Sequence, residues 1–274
     1  MAPLCARASS PGYLEWVGGE DLCDFLDFLI WKGMEGLVLD ALDRSLRGVT
    51  GREGALVLHS VREDSSTLAE VNPMLQEGWD VEINLEDSSP WVGLPGGWEA
   101  FLDSLNGKAR HELRRKLGKI QRELGPEFLV LERAQEWEGA MEHFFRLHRL
   151  SQVEKAKFMT PEKEGFFRDV GRAFFEEGSL RVTWLEVKGE PIASALSFVY
   201  GDTWGLYNSG YDPRYREFSP GIVLVARTIQ RAMDEGLKSY DFLRGRERYK
   251  YDLGGRDRDL YFLRLTPRSD GEGR

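Results

Sequence analysis

Between Leu206 and Lys250 the sequence runs LYNSGYDPRYREFSPGIVLVARTIQRAMDEGLKSYDFLRGRERYK, an order of strand, turn-rich loop, helix and second strand. This stretch ties down the layout of everything around it. Asp212-Pro213 ends the first strand by forcing a turn. Ser219 stands where an N-cap is expected, and Pro220 and Gly221 open a helix whose first amides lack partners and so can receive an anion such as a pyrophosphate. The second strand ends at Tyr240–Leu243, in front of a charged turn carrying Glu247, Tyr249 and Lys250.

The remaining composition narrows the class of protein. With 274 residues, 41% hydrophobic and 30% charged, the chain is long enough for one large core or two smaller ones. A net charge of −9 argues against broad nucleic-acid binding, although Lys108–Arg122 holds seven Lys or Arg. Two cysteines, Cys5 and Cys23, make no disulfide framework, and no Cys/His cluster has metal-ligand spacing, so no metal is expected. A reducing cytoplasm is the expected compartment. No stretch reaches the roughly 20 apolar residues of a membrane helix, and the N-terminal residues hold no signal-like apolar run.

Periodicity divides the chain. Residues 1–96 read as mixed α/β, with strand-like YLEWV, the apolar run DFLDFLIW, a helical pattern from Leu37 to Leu46, and strands ALVLHSV and WDVEINL. Residues 97–125 change to helical period. Leu113, Leu117, Ile120 and Leu124 share one face of a connecting helix, which is expected to break near Gly107. Residues 126–267 then give β-α-α-β-β-β-α-β, with Lys188–Pro191 as a hairpin turn and LYFLRLT as the final strand. Residues 268–274 form a polar tail.

The YDP-loop-SPG-helix-YDFLRG-E-YK pattern resembles the acyl-CoA clamp of the GNAT acyltransferases, in particular the BioF2-like or CelD/BcsL-like acetyltransferases. Gly18-Gly19-Glu20 to Phe28 and Trp98 to Gly118 also match segments of that family, so the resemblance spans roughly Tyr13 to Leu265. It implies a GNAT fold, a mixed central sheet flanked by helices, preceded by a partial, degenerate GNAT-like N-terminal region. A strand missing from that region leaves an edge that predicts an altered N-terminal fold or a homo-oligomer. The resemblance further implies acetyl-CoA or another acyl-CoA as co-substrate and an amine, hydroxyl or saccharide acceptor of the cell envelope or of exopolysaccharides. Two alternatives stay open: a FemABX-like aminoacyltransferase drawing on aminoacyl-tRNA, and a non-catalytic ligand-binding member.

On that reading Tyr207, Asn208 and Ser209 offer backbone groups to the pantetheine, and Arg216, Ser219, Gly221 and Ile222 hold the pyrophosphate. The loop departs from the usual Q/R-x-x-G-x-G/A: it reads Arg216-Glu217-Phe218-Ser219-Pro220-Gly221 and keeps one glycine. Tyr249 is the expected proton donor to the leaving thiolate, with Tyr251 second, and Glu247 and Asp241 are expected to act as base or to orient substrate. An ion-pair network among Asp241, Arg244, Glu247 and Lys250 that merely fixes the turn is the structural alternative. On the basic helix, Lys108, Arg115, Lys119 and Arg122 point away from the apolar stripe at about 100° per residue. Arg110 and Arg114 flank the stripe and must each satisfy a fork, so they are expected in the substrate cleft, or pinning the two halves together, with Tyr211 and Lys250 as further acceptor contacts. His111 reads as an exposed residue, and His143 and His148 read as boundary residues rather than metal ligands. No G-x-S-x-G elbow, P-loop or G-x-G-x-x-G occurs.

Overall fold

Alternating apolar residues become strands here because each strand has a face to bury, and the helical stripes cover those faces. The computed structural model describes residues 1–6, 12–50, 54–69 and 78–268. The chain opens with β1 (Leu4–Ala6), β2 (Tyr13–Trp16), a short α1 (Gly19–Leu22), α2 (Glu35–Thr50), β3 (Ala55–Arg62) and β4 (Trp79–Ser88). It continues with β5 (Trp91–Gly93), α3 (Trp98–Ser104), α4 (Gly107–Glu123), β6 (Glu127–Val130), α5 (Trp137–Ser151), α6 (Val153–Phe158) and α7 (Pro161–Glu176). Then come β7 (Leu180–Val187), β8 (Glu190–Tyr200), β9 (Thr203–Tyr211), a 3-10 turn (Pro213–Phe218), α8 (Pro220–Asp234), β10 (Ser239–Asp241), α9 (Arg248–Asp252) and β11 (Asp259–Pro267).

These elements build two compact units, one from the described residues of Met1–Ser89, Arg244–Arg246 and Asp257–Arg274, the other from Pro90–Leu243 and Glu247–Arg256. The first unit is a five-stranded sheet in the order β1-β2-β3-β11-β4. β2 is parallel to β3 and the other pairs are antiparallel. Trp16, Leu56, Leu58, Val61, Trp79, Leu263 and Leu265 fill its core, with Leu42 and Leu46 of α2 packed on it. DFLDFLIW forms no strand or long helix, although its Phe28 is buried against Trp16.

The second unit is a six-stranded sheet in the order β5-β10-β9-β8-β7-β6, in which only β9 and β10 are parallel. Its core combines Leu113 and Ile120 of α4, Val223, Leu224 and Ile229 of α8, and Trp204, Leu206 and Tyr240 of the sheet. The expected break near Gly107 is there: Leu105 is extended, and the Asn106 side chain accepts the Ala109 amide at 2.9 Å to start α4. The hairpin turn after β7 is likewise where the sequence expects it, with Lys188 and Gly189 at φ 52° and 80°.

Two expectations meet a different arrangement. The final strand, anticipated in the 126–267 domain, is β11 and lies between β3 and β4 in the first unit's sheet. The helix anticipated as a connector is instead part of the second unit's core, because its stripe packs on α8.

Candidate functional site

β9 and β10 pair at three positions, Thr203 with Ser239, Trp204 with Tyr240 and Gly205 with Asp241. The strands then part. β10 ends because Leu243 turns left-handed at φ 57°, held by its amide donating to the buried Asp241 carboxylate at 2.8 Å. β9 runs on to Tyr211, and a bulge against β8, where Asn208 and then Leu206 meet successive residues, leaves Tyr207 as the extra residue. Asp212 stops β9 and its carboxylate accepts the Arg214 amide at 2.9 Å, opening the 3-10 turn. The Arg214 guanidinium, 2.7 Å from the same carboxylate, holds it below its ordinary range.

At the end of that turn Ser219 adopts φ 52° and ψ 48°, a left-handed conformation that costs on the order of 1 kcal/mol in a non-glycine residue. Its position is that of the expected N-cap, yet its side chain makes no capping bond, because the backbone has turned the other way. The Val223 amide donates to the Ser219 carbonyl at 3.1 Å, Pro220 has no amide, and the amides of Gly221 and Ile222 therefore head α8 without intrahelical partners.

These pieces enclose a cleft of about 490 Å³. It is lined by Ser209 and Tyr211 of β9, by Arg216, Ser219, Gly221 and Ile222 around the start of α8, by Ser151, Gln152 and Lys155, and by Glu247 and Tyr249. Gly221 keeps it open, since a Cβ there would stand 3.3 Å from the Tyr211 ring. The donor set suits an anion: the Arg216 guanidinium and the two helix-start amides line one space.

Most cofactor-binding expectations meet in this cleft, and the catalytic set divides. Tyr249 and Glu247 line it, as do Ser209, Tyr211, Arg216, Ser219, Gly221 and Ile222. Burial, reinforced by the Glu247 charge, pushes the Tyr249 phenol well above its ordinary value, so it stays protonated. Asn208 stands beside the cleft, its side chain accepting the Ser209 amide at 2.9 Å. Tyr207 points instead into an aromatic cluster, its ring 5.6 Å from Phe167 and 5.8 Å from Phe198.

Four expectations are corrected. Asp241 is buried at the foot of the Leu243 turn and does not line the cleft. Lys250 is 2% exposed, donates to the Leu243 carbonyl at 2.9 Å and pairs with Glu247 at 2.9 Å, so its ammonium serves the turn. Arg110 and Arg114 find their carboxylates on α3, at Asp103 (2.9 Å) and Glu99 (2.8 Å), which tethers two consecutive helices rather than reaching the cleft. His111 is exposed, as expected, whereas His148 is fully buried, and burial lowers its pKa to about 4.

The residue missed from the sequence is Lys155. It sits on α6, a six-residue helix in a polar stretch with no motif, and its amine reaches Asn208 Oδ1 at 3.2 Å and the Ser209 carbonyl. No group of three or more His, Cys, Asp or Glu that would hold a metal occurs among the described residues, and no described helix is long and apolar enough to cross a membrane.

Comparison with known proteins places this geometry in context. The family described as "Acetyltransferase (GNAT) domain" matches residues 107–251. The chain resembles the crystal structure of FemX with a TM-score of 0.64 at 11% identity, covering 95% of this chain and 82% of that one. A conserved protein of unknown function from Bacteroides thetaiotaomicron gives 0.60 at 11% identity, over 85% and 75% of the two chains. L-PGS from Bacillus licheniformis gives 0.57 at 12%, over 85% and 73%. At such identities the likeness is one of fold. No curated protein matches in sequence.

Proposed function

We propose an activity for a chain that belongs to the acetyltransferase (GNAT) domain family: it is an acyl-CoA-dependent N- or O-acyltransferase of CelD/BcsL-like type, acting by direct transfer to an amine or hydroxyl. The observation that carries this reading is the cleft itself, where the open edge of β9 meets the Gly221 and Ile222 amides and Arg216. Arg216 and the α8 amides would hold the pyrophosphate, and the β9 edge would run beside the pantetheine. Direct attack suits the lining, which holds no cysteine, while Cys5 and Cys23 belong to the first unit. Tyr249, protonated throughout the neutral range, is the proposed donor to the departing sulfur. Glu247 is proposed to set the charge around it, since it lines the cleft and pairs with Lys250.

Calorimetric titration with acetyl-CoA and with CoA tests the reading, micromolar binding being the expected result. Gly221→Val should abolish that binding, because its side chain would press on Tyr211 and fill the anion space. Tyr249→Phe should leave affinity intact and lower kcat by about 100-fold. Absence of any CoA binding by the wild type would overturn the reading in favour of aminoacyl-tRNA, the alternative that the likeness in fold to FemX favours.

A further inference from the structure

A base is still needed for the acceptor. Its nitrogen or oxygen must lose a proton as it bonds to the acyl carbon, and the carboxylate nearest the chemistry, Glu247, is already engaged with Lys250 at 2.9 Å. Lys155 is placed differently. Its amine donates two hydrogen bonds, to Asn208 Oδ1 and to the Ser209 carbonyl, at the level of β9 where the strand has left β10 behind. A neutral amine has two N–H groups and one lone pair. Two donated bonds consume both N–H groups, and the remaining tetrahedral position belongs to the lone pair, on a side chain that lines the cleft.

We propose that Lys155 is the general base of the transfer, its amine taking the acceptor's proton. The inference rests on the acyl-CoA reading above. Lys155 accepts the proton as the new C–N or C–O bond forms, and Tyr249 gives its phenolic proton to the sulfur as the C–S bond breaks. A proton then passes from the Lys155 ammonium back to the Tyr249 phenolate, through water in the cleft, and both residues are restored. The sum is acceptor plus thioester giving acylated acceptor plus free thiol.

The surroundings support this division of labour. Burial lowers the Lys155 pKa to about 8 from an ordinary 10.5, so the neutral form is accessible near neutral pH, while burial raises Tyr249. Environments that push two groups in one cleft in opposite directions separate a base from an acid. The charged and titratable groups around Lys155 are Glu247, whose charge raises its pKa; Lys250, which lowers it; His148 on α5, kept neutral by burial; and Arg216, Tyr211 and Tyr249, which line the same cleft. The one carboxylate acting on the amine makes no ion pair with it, so the amine is not locked as an ammonium.

The test uses the full chain in two measurements. In the ligand-free protein, NMR of carbon-13-labelled lysines should show a side chain titrating near pH 8 that is absent from Lys155→Met. In turnover with acetyl-CoA and a panel of primary amines and amino sugars, followed by thiol release, the wild-type rate should climb as pH rises through about 8. Lys155→Met should keep its affinity for acetyl-CoA, lose about 100-fold or more in kcat and lose that limb. Lys155→Arg should behave like Lys155→Met, since a guanidinium keeps the charge but cannot take a proton. Glu247→Gln removes the negative charge and should move the limb to lower pH. A Lys155 that titrates near its ordinary value, or an arginine variant that retains kcat, overturns the base and leaves the acyl-CoA reading standing. A wild type that binds neither CoA nor acetyl-CoA overturns both.

Discussion

His148 is wholly inside the second unit, between the rings of Phe144 and Phe158. Burial, helped by the nearby Lys155 charge, lowers its pKa to about 4 from 6.5. Between those values the unfolded chain binds a proton that the folded chain refuses, so stability rises with pH across that window and is lost as pH falls through it, by up to about 3 kcal/mol. Comparing His148→Leu with the wild type in urea unfolding at pH 4.5 and pH 7 checks this: the variant should lose much of the wild type's acid sensitivity. An unchanged slope would assign the acid sensitivity to other groups. At this scale the sequence was legible in placement where a residue's position is set by its neighbours in the chain, as with Arg216 and Gly221, which line the cleft around the Ser-Pro-Gly helix start. It misled at Asp241 and Lys250, whose polar groups turn inward to hold the left-handed Leu243. Lys155 was illegible because its partners, Asn208 and Ser209, lie some fifty residues away in the chain and no local motif marks them.

The contact between α5 and β9 governs how precisely the cleft is held. Gly210 lies against the backbone of α5, and a Cβ there would come within 2.4 Å of His148 N and Cα and of the Leu147 carbonyl. Those neighbours are main-chain atoms of a helix and cannot give way as a side-chain tip would. Gly210→Ala should therefore push α5 off the strand and destabilise the second unit by about 3 kcal/mol, visible as a lower thermal midpoint. Since α6 follows α5 directly, the same substitution should disturb the Lys155 hydrogen bonds and weaken turnover. A variant as stable as the wild type would mean that the helix can shift freely. Element positions were largely readable: the alternation in β9 and the stripes of α4 and α8 each specify one buried face, while β7 and β8 are apolar runs buried on both faces. Caps were less so. Asn106 and Thr160 bond to helix amides as their residue types suggest, whereas Ser219 does not, because the cap φ and ψ are set by the preceding 3-10 turn.

At the scale of the molecule the consequential departure is β11. Its sequence, LYFLRLT, declares a strand by alternation, but alternation is silent about which sheet receives it, since pairing partners are chosen by hydrogen-bond edges and burial far from the strand in sequence. β11 sits between β3 and β4, and Leu260, Leu263 and Leu265 are each no more than 1% exposed. A strand inside a sheet donates and accepts along both edges, so the first unit depends on its side chains and its backbone together. Leu263→Ala leaves a cavity in the core shared with Leu58, Val61 and Trp79, and should cost that unit about 3 kcal/mol. The cleft, by contrast, draws every lining residue from the second unit. Hydrogen exchange on Leu263→Ala should therefore show lost protection in β2, β3, β4 and β11, with β7 to β9 and the affinity for acetyl-CoA unchanged. A uniform loss of protection across both sheets would show that the two units unfold as one cooperative body, and would place the C-terminal strand in the foundation of the cleft.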